Sequence, residues 1–365
     1  MEKLFTIEQI RKACQKISGF EDGDHIQIMQ VSKGKMNHVY KVYNKASQKT
    51  IVFKQAGGHP IGFEHANVVL PLQRNINEFL ALNYMNAINP TYAPIVLDCN
   101  AEYHYFFMEY VEGYIDFRDL LLMAKIPCGS GKMIARILVD TLHGSAEYCK
   151  TNNDTCMKMI LEAILFELPV SGQYICMNEW IVDKNDFIQI LNDQRLTSHY
   201  RILNRKLFEK REMLVHGDLH AGSICFNDSS CMFYDYEFAY AGPFGYDAGK
   251  ILAHMLLGAC HLCANGNFSA LKELLYEISQ FYDSLKENGI TTECLLETMQ
   301  YCGVELISRV TGLLQLKYIT LINDISIRTK FQKNILILAK KFVLQDIIIN
   351  NGGDIIECFE KYLKI

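Results

Sequence analysis

The stretch His216–Asp247 constrains this chain most, because it holds three carboxylates in two closely spaced motifs. Asp218 stands in His-Gly-Asp-Leu-His, and Asp235 and Glu237 stand in Asp-Tyr-Glu, beginning seventeen positions later. Carboxylates at i and i+2 point to the same side of an extended backbone, and they repel each other unless a cation lies between them. Mg²⁺ takes oxygen ligands and often uses one or two carboxylates together with phosphates. The spacing therefore predicts a Mg²⁺ site at Asp235 and Glu237.

A short hairpin is predicted between the two motifs. Residues 224–226 and 232–234 are typical of strands, and Asn-Asp-Ser-Ser at 227–230 is typical of a turn. Such a hairpin folds the second motif back beside the first. Protein kinases use the same order of catalytic Asp, hairpin and metal-binding acid. An isolated Asp after Gly is more often a turn residue, but the two motifs together favour phosphoryl transfer, with Asp218 facing the acceptor hydroxyl.

The same stretch resembles the 5-methylthioribose kinases, which belong with the aminoglycoside phosphotransferases and choline kinases. After the first motif the chain continues Ala-Gly-Ser-Ile, as in that family, and lacks the metal-binding Asn that is usual in the wider branch. Glu237-Phe238-Ala239, Gly242-Pro243 and Gly245-Tyr246-Asp247 also fit the family. Tyr236 stands where the family usually has Pro between its two metal acids.

The resemblance implies both a fold and a reaction. The fold is α+β, a bilobal protein-kinase-like fold with a small β-rich N-lobe and a mostly helical C-lobe. The reaction is transfer of a phosphoryl group from ATP, with Mg²⁺, to the 1-hydroxyl of 5-methylthioribose in methionine salvage. In this role Asp218 would orient and deprotonate the acceptor. We also assign Tyr236 to the nucleotide site and His216 to support of the catalytic loop.

The first third of the chain predicts a nucleotide-binding sheet. Lys54 is the only charge in its third strand, and Glu78 lies in a predicted helix, 75–85. A lone Lys in a strand normally reaches solvent from an edge, but kinase-like folds pair such a Lys with a helix Glu and use it on phosphates. The loop that ends at Asn37 resembles the family's Gly-x-x-Asn loop, which implies an ATP contact, although Asn also stabilises turns. The predicted strands are 26–31, 39–42 and 51–55.

A further strand, 105–110, is predicted to end at the adenine site. By position, the backbone groups of Met108, Glu109 and Tyr110 would meet the adenine. We place the lobe boundary here, which gives a nucleotide-binding N-lobe at 1–112 and a catalytic, substrate-binding C-lobe at 113–365.

Apolar residues at helical spacing predict a mostly helical C-lobe. Residues 303–310 resemble the family's C-terminal segment, in which two adjacent Arg contact the sugar. Here Ser308 replaces the first and Arg309 remains as a substrate contact, with a helix-surface cation as the alternative. We predict that Trp180, the only tryptophan, packs in the core, with a flap at 167–180 as the alternative. The predicted helices are 133–148, 193–210, 249–263, 268–288, 292–322 and 328–349.

Net charge, apolar stretches and cysteine content limit the partners and the cellular location that the sequence favours. The net charge is −5 with no basic run, which argues against nucleic acid. No uncharged apolar stretch approaches the ~20 residues of a membrane span, and the charged N-terminal pattern is not that of a secretory signal. Thirteen cysteines are then expected as reduced thiols in the cytoplasm. The family is often dimeric, so the resemblance implies a homodimer as an option.

Two alternatives stay open. The first is a kinase of the same fold that acts on choline, ethanolamine or an aminoglycoside. Such cations call for an aromatic cage or an acidic pocket, and no acidic cluster is visible beyond the catalytic set. The second is a pseudokinase-like protein that binds nucleotide without chemistry, against which the intact set of Lys54, Asp218, Asp235 and Glu237 argues.

Overall fold

The chain divides into two compact units in a computed structural model that describes residues 4–31, 36–59, 69–151, 156–312 and 317–364. The first unit is Met1–Tyr114 with Met232–Ala239, and the second is Ile115–Cys231 with Tyr240–Ile365. The second lobe had been predicted as the unbroken range 113–365. The segment that carries Asp-Tyr-Glu joins the first unit instead, because Phe233 N donates to Tyr92 O at 2.8 Å and its acidic side chains bind cations there.

The first unit is built on a five-stranded antiparallel sheet. Its elements in chain order are α1 (Ile7–Cys14), β1 (Ile26–Gln30), β2 (Asn37–Asn44), β3 (Lys49–Ala56), α2 (Arg74–Ile88), β4 (Val96–Asn100) and β5 (Tyr105–Glu109). The strand order is β1-β2-β3-β5-β4, with every neighbouring pair antiparallel. The three strands predicted for this region are present, and β4 was not predicted.

Successive side chains of β3 point to opposite faces of the sheet, and one helix packs on each face. Phe53 lies in a buried apolar cluster with Ile10 of α1 and Phe107 of β5. The next residue, Lys54, points to the opposite face, and the Lys54 ammonium meets the Glu78 carboxylate of α2 there at 2.8 Å. The buried part of β3 can therefore carry the charge of Lys54 because α2 supplies the partner.

The second unit is mostly helical. Its short strands include a pair between residues 115–116 and 225–226 and a pair between residues 213–215 and 240–242. From Ile115 onward the elements in chain order are β6 (Ile115–Asp116), α3 (Phe117–Leu122), α4 (Ser130–Gly144), α5 (Ala146–Thr151), α6 (Cys156–Glu162), α7 (Gly172–Met177), α8 (Lys184–Leu191), α9 (Gln194–Glu209), β7 (Met213–Val215), β8 (Ile224–Phe226), β9 (Cys231–Phe233), β10 (Tyr240–Gly242), α10 (Phe244–Ala264), α11 (Phe268–Glu287), α12 (Thr292–Thr311), α13 (Lys317–Thr320), α14 (Ile325–Leu344) and α15 (Gly352–Cys358). Two of the three residues of β9 belong to the first unit.

Helix α10 lies in the core of the second unit, and nearly all of its residues are buried. It begins at Phe244, before the predicted start at residue 249, because its glycines serve close packing rather than a break. A Cβ atom at Gly249 would lie 2.5 Å from Thr298 O of α12. This close approach places the polar residues of α10 beside those of α12.

Three other predicted helices end earlier than expected. The range 133–148 is interrupted at Ser145, whose hydroxyl donates to Thr141 O at 2.7 Å. Helix α12 ends at Thr311 because Gly312 leaves the helical conformation, with ψ −173°. Helix α14 ends at Leu344, where Gln345 takes a left-handed conformation with φ +57°. Across the described ranges, no helix combines the length and the apolar character that a membrane crossing requires.

Candidate active site

The first unit gathers Lys54, Glu78 and Asp235. The Lys54 ammonium lies 2.7 Å from the Glu78 carboxylate and 2.5 Å from Asp235 Oδ1. Lys54 and Glu78 are buried, whereas the Asp235 side chain is 42% exposed. Asp235 has φ +72°, a left-handed conformation that is uncommon outside glycine and that clusters at functional sites. The three predicted site residues thus come together around one ammonium group.

Glu237 has a different partner, Arg74 at the start of α2. Arg74 Nε donates to Glu237 Oε2 at 3.1 Å, and Asn37 Nδ2 donates to the same oxygen at 2.8 Å. Arg74 is fully buried, and its Nη2 also donates to Met36 O, Asn37 Oδ1 and Gly57 O. The predicted loop residues Gly34 and Lys35 lie outside the described residues. The sequence reasoning missed Arg74, although an Arg one helical turn before Glu78 was a usable signal.

Two expectations about the paired acids are wrong. The backbone at Asp235 is left-handed rather than extended, so the i, i+2 argument does not apply. Asp235 and Glu237 also do not depend on a metal to offset their repulsion, because Lys54 faces one and Arg74 faces the other.

The donor set still fits a divalent cation. The Asp235 carboxylate faces Lys54 and the Glu237 carboxylate faces Arg74, so both acids present oxygen donors in this cluster. Carboxylate oxygens are hard donors, and a cation shared with phosphates needs just one or two of them. Within the ranges that the structure describes, no group of three or more His, Cys, Asp or Glu side chains is arranged to hold a metal. Asp235 and Glu237 would therefore hold the cation jointly with a ligand.

Burial and charge oppose each other in this cluster. Burial lowers the pKa of Lys54, but the negative charges of Asp235 and Glu78 raise it by more than burial lowers it. The pKa of Lys54 therefore lies above its ordinary value. Burial raises the pKa of Glu78 to about 8, against the opposing effect of Lys54. Burial and Asp235 raise the pKa of Glu237 to about 6, although Lys54 and Arg74 oppose the rise. Lys54 therefore carries its positive charge at neutral pH.

The loop that carries Asp218 is held by the first turn of α10. Gly217 has φ +83°, where glycine is favoured. The Asp247 carboxylate accepts from His216 N at 2.5 Å and from Gly217 N at 3.2 Å, and the Tyr246 hydroxyl donates to Gly217 O at 2.8 Å. His216, predicted to support the loop, accepts from Asp218 N through Nδ1 at 3.3 Å. Four hydrogen bonds with three side chains thus fix the backbone around Asp218.

Two cations meet one oxygen of Asp218. Lys250 Nζ lies 3.0 Å from Asp218 Oδ1, and Arg309 Nη2 lies 3.5 Å from the same atom. His220 Nε2 lies 3.7 Å from Oδ2. The structure thus brings Asp218 and Arg309, both predicted site residues, together. Burial raises the pKa of Asp218, but Lys250, His220 and Arg309 lower it by more. The pKa of Asp218 therefore lies well below its ordinary range.

Glu305 organises both cations. Its Oε2 lies 3.2 Å from Lys250 Nζ, and its Oε1 accepts from Arg309 Nε at 2.6 Å. His254 Nε2 lies 3.2 Å from Glu305 Oε1. Burial lowers the pKa of His254 to about 3 in spite of Glu305, so the imidazole is neutral at pH 7. The sequence reasoning missed Lys250, His254 and Glu305.

Ser308 does not face Asp218. Its hydroxyl donates to Ile164 O at 3.2 Å, on another side of α12 from Arg309. Helix α12 therefore contributes one cation to this site, Arg309. That residue is buried and paired, so the alternative of a helix-surface cation is wrong.

One backbone N–H group of the predicted adenine-binding strand is already hydrogen-bonded within the first unit. Met108 and Glu109 end β5, and Glu109 N donates to Ile95 O at 2.8 Å, so this N–H is not available to an adenine. Tyr110 follows the strand, and Lys41 Nζ lies 3.8 Å from its ring centroid. Adenine recognition by this segment stays a prediction.

Two aromatic residues differ in their surroundings. The side chain of Tyr236, between the two acids, is buried, and the carbonyl of Tyr236 accepts from Ala239 N at 2.9 Å. Trp180 was predicted to pack in the core, but it is 41% exposed. It lies in the connection between α7 and α8, where Arg328 lies over its ring at 5.3 Å. The prediction for Trp180 is therefore wrong, because a cation–π contact at the surface takes the place of core packing.

Comparison with known proteins supports the kinase interpretation. A model of the phosphotransferase enzyme family matches residues 180–260. A methylthioribose kinase from a Geobacillus species is 25% identical over 361 residues, which cover 89% of this chain and 88% of that protein. A methylthioribose kinase from Bacillus pumilus is 25% identical and covers 94% of this chain and 93% of its own length. The predicted resemblance to this family is therefore confirmed.

Solved structures confirm the fold. A choline kinase from Cryptosporidium parvum matches 93% of this chain and 97% of its own length, with a TM-score of 0.52 and 12% identity. A choline/ethanolamine kinase family protein from Mesorhizobium loti matches 93% of this chain and 99% of its own length, with a TM-score of 0.53 and 13% identity. At such low identity the likeness concerns the fold alone, and it confirms the α+β, protein-kinase-like class. The chain is a small-molecule kinase, a phosphotransferase with an alcohol group as acceptor, and it resembles the methylthioribose kinases.

Proposed function

We propose that the protein transfers the γ-phosphoryl group of ATP to the 1-hydroxyl of 5-methylthioribose, in methionine salvage. The observation that carries this proposal is Asp218, an ionised carboxylate with Oδ1 bound by Lys250 and Arg309. The similarity to methylthioribose kinases along about nine tenths of the chain supports the choice of sugar.

The residues of this chain have separate roles in the proposed reaction. Asp218 orients the acceptor hydroxyl and takes its proton as the new P–O bond forms and the bond to ADP breaks. Lys54 binds phosphate oxygens, and Glu78 holds its ammonium group in place. Asp235 and Glu237 would hold Mg²⁺, which neutralises charge on the phosphates when it is bound.

Charge at the acceptor site favours an uncharged sugar over choline, ethanolamine or an aminoglycoside. Asp218 and Glu305 are the carboxylates that Lys250 and Arg309 contact, and the charges of these four side chains balance. The cluster therefore offers no excess negative charge to a cationic acceptor, which would need an acidic pocket or an aromatic cage.

The test is ADP release by the purified protein with methylthioribose, choline, ethanolamine and an aminoglycoside in parallel. We expect transfer to methylthioribose alone, and a loss of roughly 10²–10⁴-fold in kcat for Asp218→Asn. Calorimetry should show ADP affinity close to that of the wild type in this variant. Transfer to a cationic acceptor but not to the sugar would refute the proposal, as would nucleotide binding without transfer to any acceptor.

Two further parts of the proposal are a cytoplasmic location, which rests on thirteen cysteines interpreted as reduced thiols, and a homodimer, which rests on the resemblance alone. Light scattering of the purified protein measures the mass, and a value for one chain would exclude the dimer.

A further inference from the structure

Lys250 is a buried cation that the proposed reaction has not yet used. It lies on α10, almost fully buried, with its ammonium 3.0 Å from Asp218 Oδ1 and 3.2 Å from Glu305 Oε2. We propose that Lys250 is a positioning residue for Asp218. It fixes Oδ1 so that Oδ2, from which His220 Nε2 lies 3.7 Å away, faces the acceptor hydroxyl. This inference rests on the proposed role of Asp218 as the base.

Asp218 and Lys250 differ in their exposure to solvent. The Asp218 side chain is 29% exposed, whereas that of Lys250 is 2% exposed. An acceptor can therefore reach the carboxylate but not the ammonium, so Lys250 acts through Asp218 rather than on the substrate.

Two helices share the task of holding Asp218. Arg309 approaches Oδ1 from α12 at 3.5 Å, and Lys250 approaches it from α10 at the shorter distance of 3.0 Å. The neighbouring Ser308 bonds to Ile164 O and supplies no charge. Lys250 is therefore the second cation of the site, and it comes from a different helix from the first.

Glu305 keeps Lys250 in place. A carboxylate that bonds Lys250, Arg309 and His254 at once leaves their side chains little freedom. Breaking a buried charge pair normally strands the remaining partner. Loss of Lys250 would therefore affect stability as well as Asp218, and the experiment must separate the two effects.

The charges around Asp218 determine how the pKa of Asp218 would change in a variant that lacks Lys250. The groups that act on the carboxylate include Lys250, His220 and Arg309, which favour its ionised form. Glu305 and Asp247 oppose that form. An opposite charge at this range typically moves a carboxyl pKa by about 1–3 units. Removing Lys250 should therefore raise the pKa of Asp218 and allow its side chain to rotate.

The test compares Lys250→Met with Lys206→Met, in the full-length protein. Lys206 is a matched control because it also faces a buried glutamate of α12, with its ammonium 2.5 Å from Glu297 Oε1. We expect Lys250→Met to lower kcat by roughly 10–100-fold, the scale of a misplaced reacting group. The acceptor KM should stay within about threefold, because the acceptor does not contact Lys250. Lys206→Met should keep the wild-type kcat.

A second readout needs no substrate. In protein labelled with ¹³C at aspartate carboxyl carbons, the Asp218 signal is identified by its absence in Asp218→Asn. We expect its pKa to rise by about one unit or more in Lys250→Met and to be unchanged in Lys206→Met. Lys250→Arg, which keeps the charge, should restore the low pKa.

The outcomes distinguish this inference from the proposed function. A wild-type kcat together with an unchanged Asp218 pKa in Lys250→Met would overturn the inference, even if methylthioribose is the substrate. Failure of the wild type on methylthioribose would refute the proposed function, while the shift in the Asp218 pKa would still support or overturn the role of Lys250.

Discussion

Arg74 Nε donates to Glu237 Oε2 at 3.1 Å, and this bond ties a predicted metal-binding acid to the first turn of α2. Glu78, one turn further along the same helix, binds the Lys54 ammonium. Residues four apart lie on the same face of a helix. Helix α2 thus presents a guanidinium and a carboxyl group side by side, and each contacts a side chain of the cluster.

This arrangement predicts different stabilities for two isosteric variants. Glu237→Gln leaves the guanidinium of Arg74 fully buried without a carboxylate, which should cost about 3 kcal/mol of unfolding free energy. Asp235→Asn should cost under about 1 kcal/mol, because Asp235 is partly exposed, Lys54 keeps Glu78, and Asn tolerates the left-handed backbone. Urea unfolding measures both.

Both variants should also lose divalent-cation-dependent binding of ATP, which calorimetry with and without Mg²⁺ measures. Equal stabilities would contradict the role of Arg74. Normal Mg²⁺-dependent binding in either variant would remove that residue from the predicted metal site.

Close packing of α10 on α12 predicts that Gly249→Ala is damaging. The new Cβ would lie 2.5 Å from Thr298 O and 2.6 Å from Cys302 N, and backbone atoms cannot move aside as a flexible side chain can. We expect a loss of about 3 kcal/mol, the upper range for overpacking, and lower activity, because Lys250 and Arg309 are carried by these helices.

Gly172→Ala is the control for this substitution. Its Cβ would lie 3.9 Å from the nearest atom, Ile188 Cδ1, an ordinary contact. A melting temperature close to that of the wild type is expected for Gly172→Ala. If Gly249→Ala melts at the same temperature as the control, the close approach of the two helices is not as described.

Burial of His254 predicts a dependence of stability on pH. The folded pKa of about 3 lies below the ordinary value of 6.5, so the unfolded chain binds more protons between these values. Stability is therefore fully present above pH 6.5 and is lost as the pH falls toward 3, by about 1.4 kcal/mol per pH unit. His254→Gln should reduce this slope by one proton in urea unfolding at pH 7.0, 6.0 and 5.0. An unchanged slope would show that His254 is not held neutral.

The acids and the Lys–Glu pair could be predicted from the sequence because local spacing determines them. Asp218 and Asp235 stand in motifs with short intervals. Lys54 is the one charge in the predicted strand 51–55, and the resemblance indicated the fold class to which that strand belongs. Their catalytic, nucleotide and metal roles stay predictions.

Lys250 and Glu305 could not be placed in the site from local patterns, because their partners are distant in the chain and are determined by packing. Arg74 had a local signal, its position one helical turn before Glu78, and a weaker signal existed for the other two. A charged residue in an otherwise apolar helix must find a partner if that helix is buried, and α10 and α12 are both such helices. The start of α10 was also misplaced, because a glycine that permits close packing has the same appearance in the sequence as one that ends a helix.

The most direct test of the proposed function is ³¹P NMR of the product formed from ATP, Mg²⁺ and 5-methylthioribose. We predict a phosphomonoester whose phosphorus couples to the anomeric proton, appearing together with ADP and absent with Asp218→Asn. Coupling to a proton at another carbon would contradict transfer to the 1-hydroxyl. Two results together would contradict the proposed function. They are formation of ADP without any sugar phosphate in the reaction with methylthioribose, and phosphorylation of choline or an aminoglycoside in a parallel reaction.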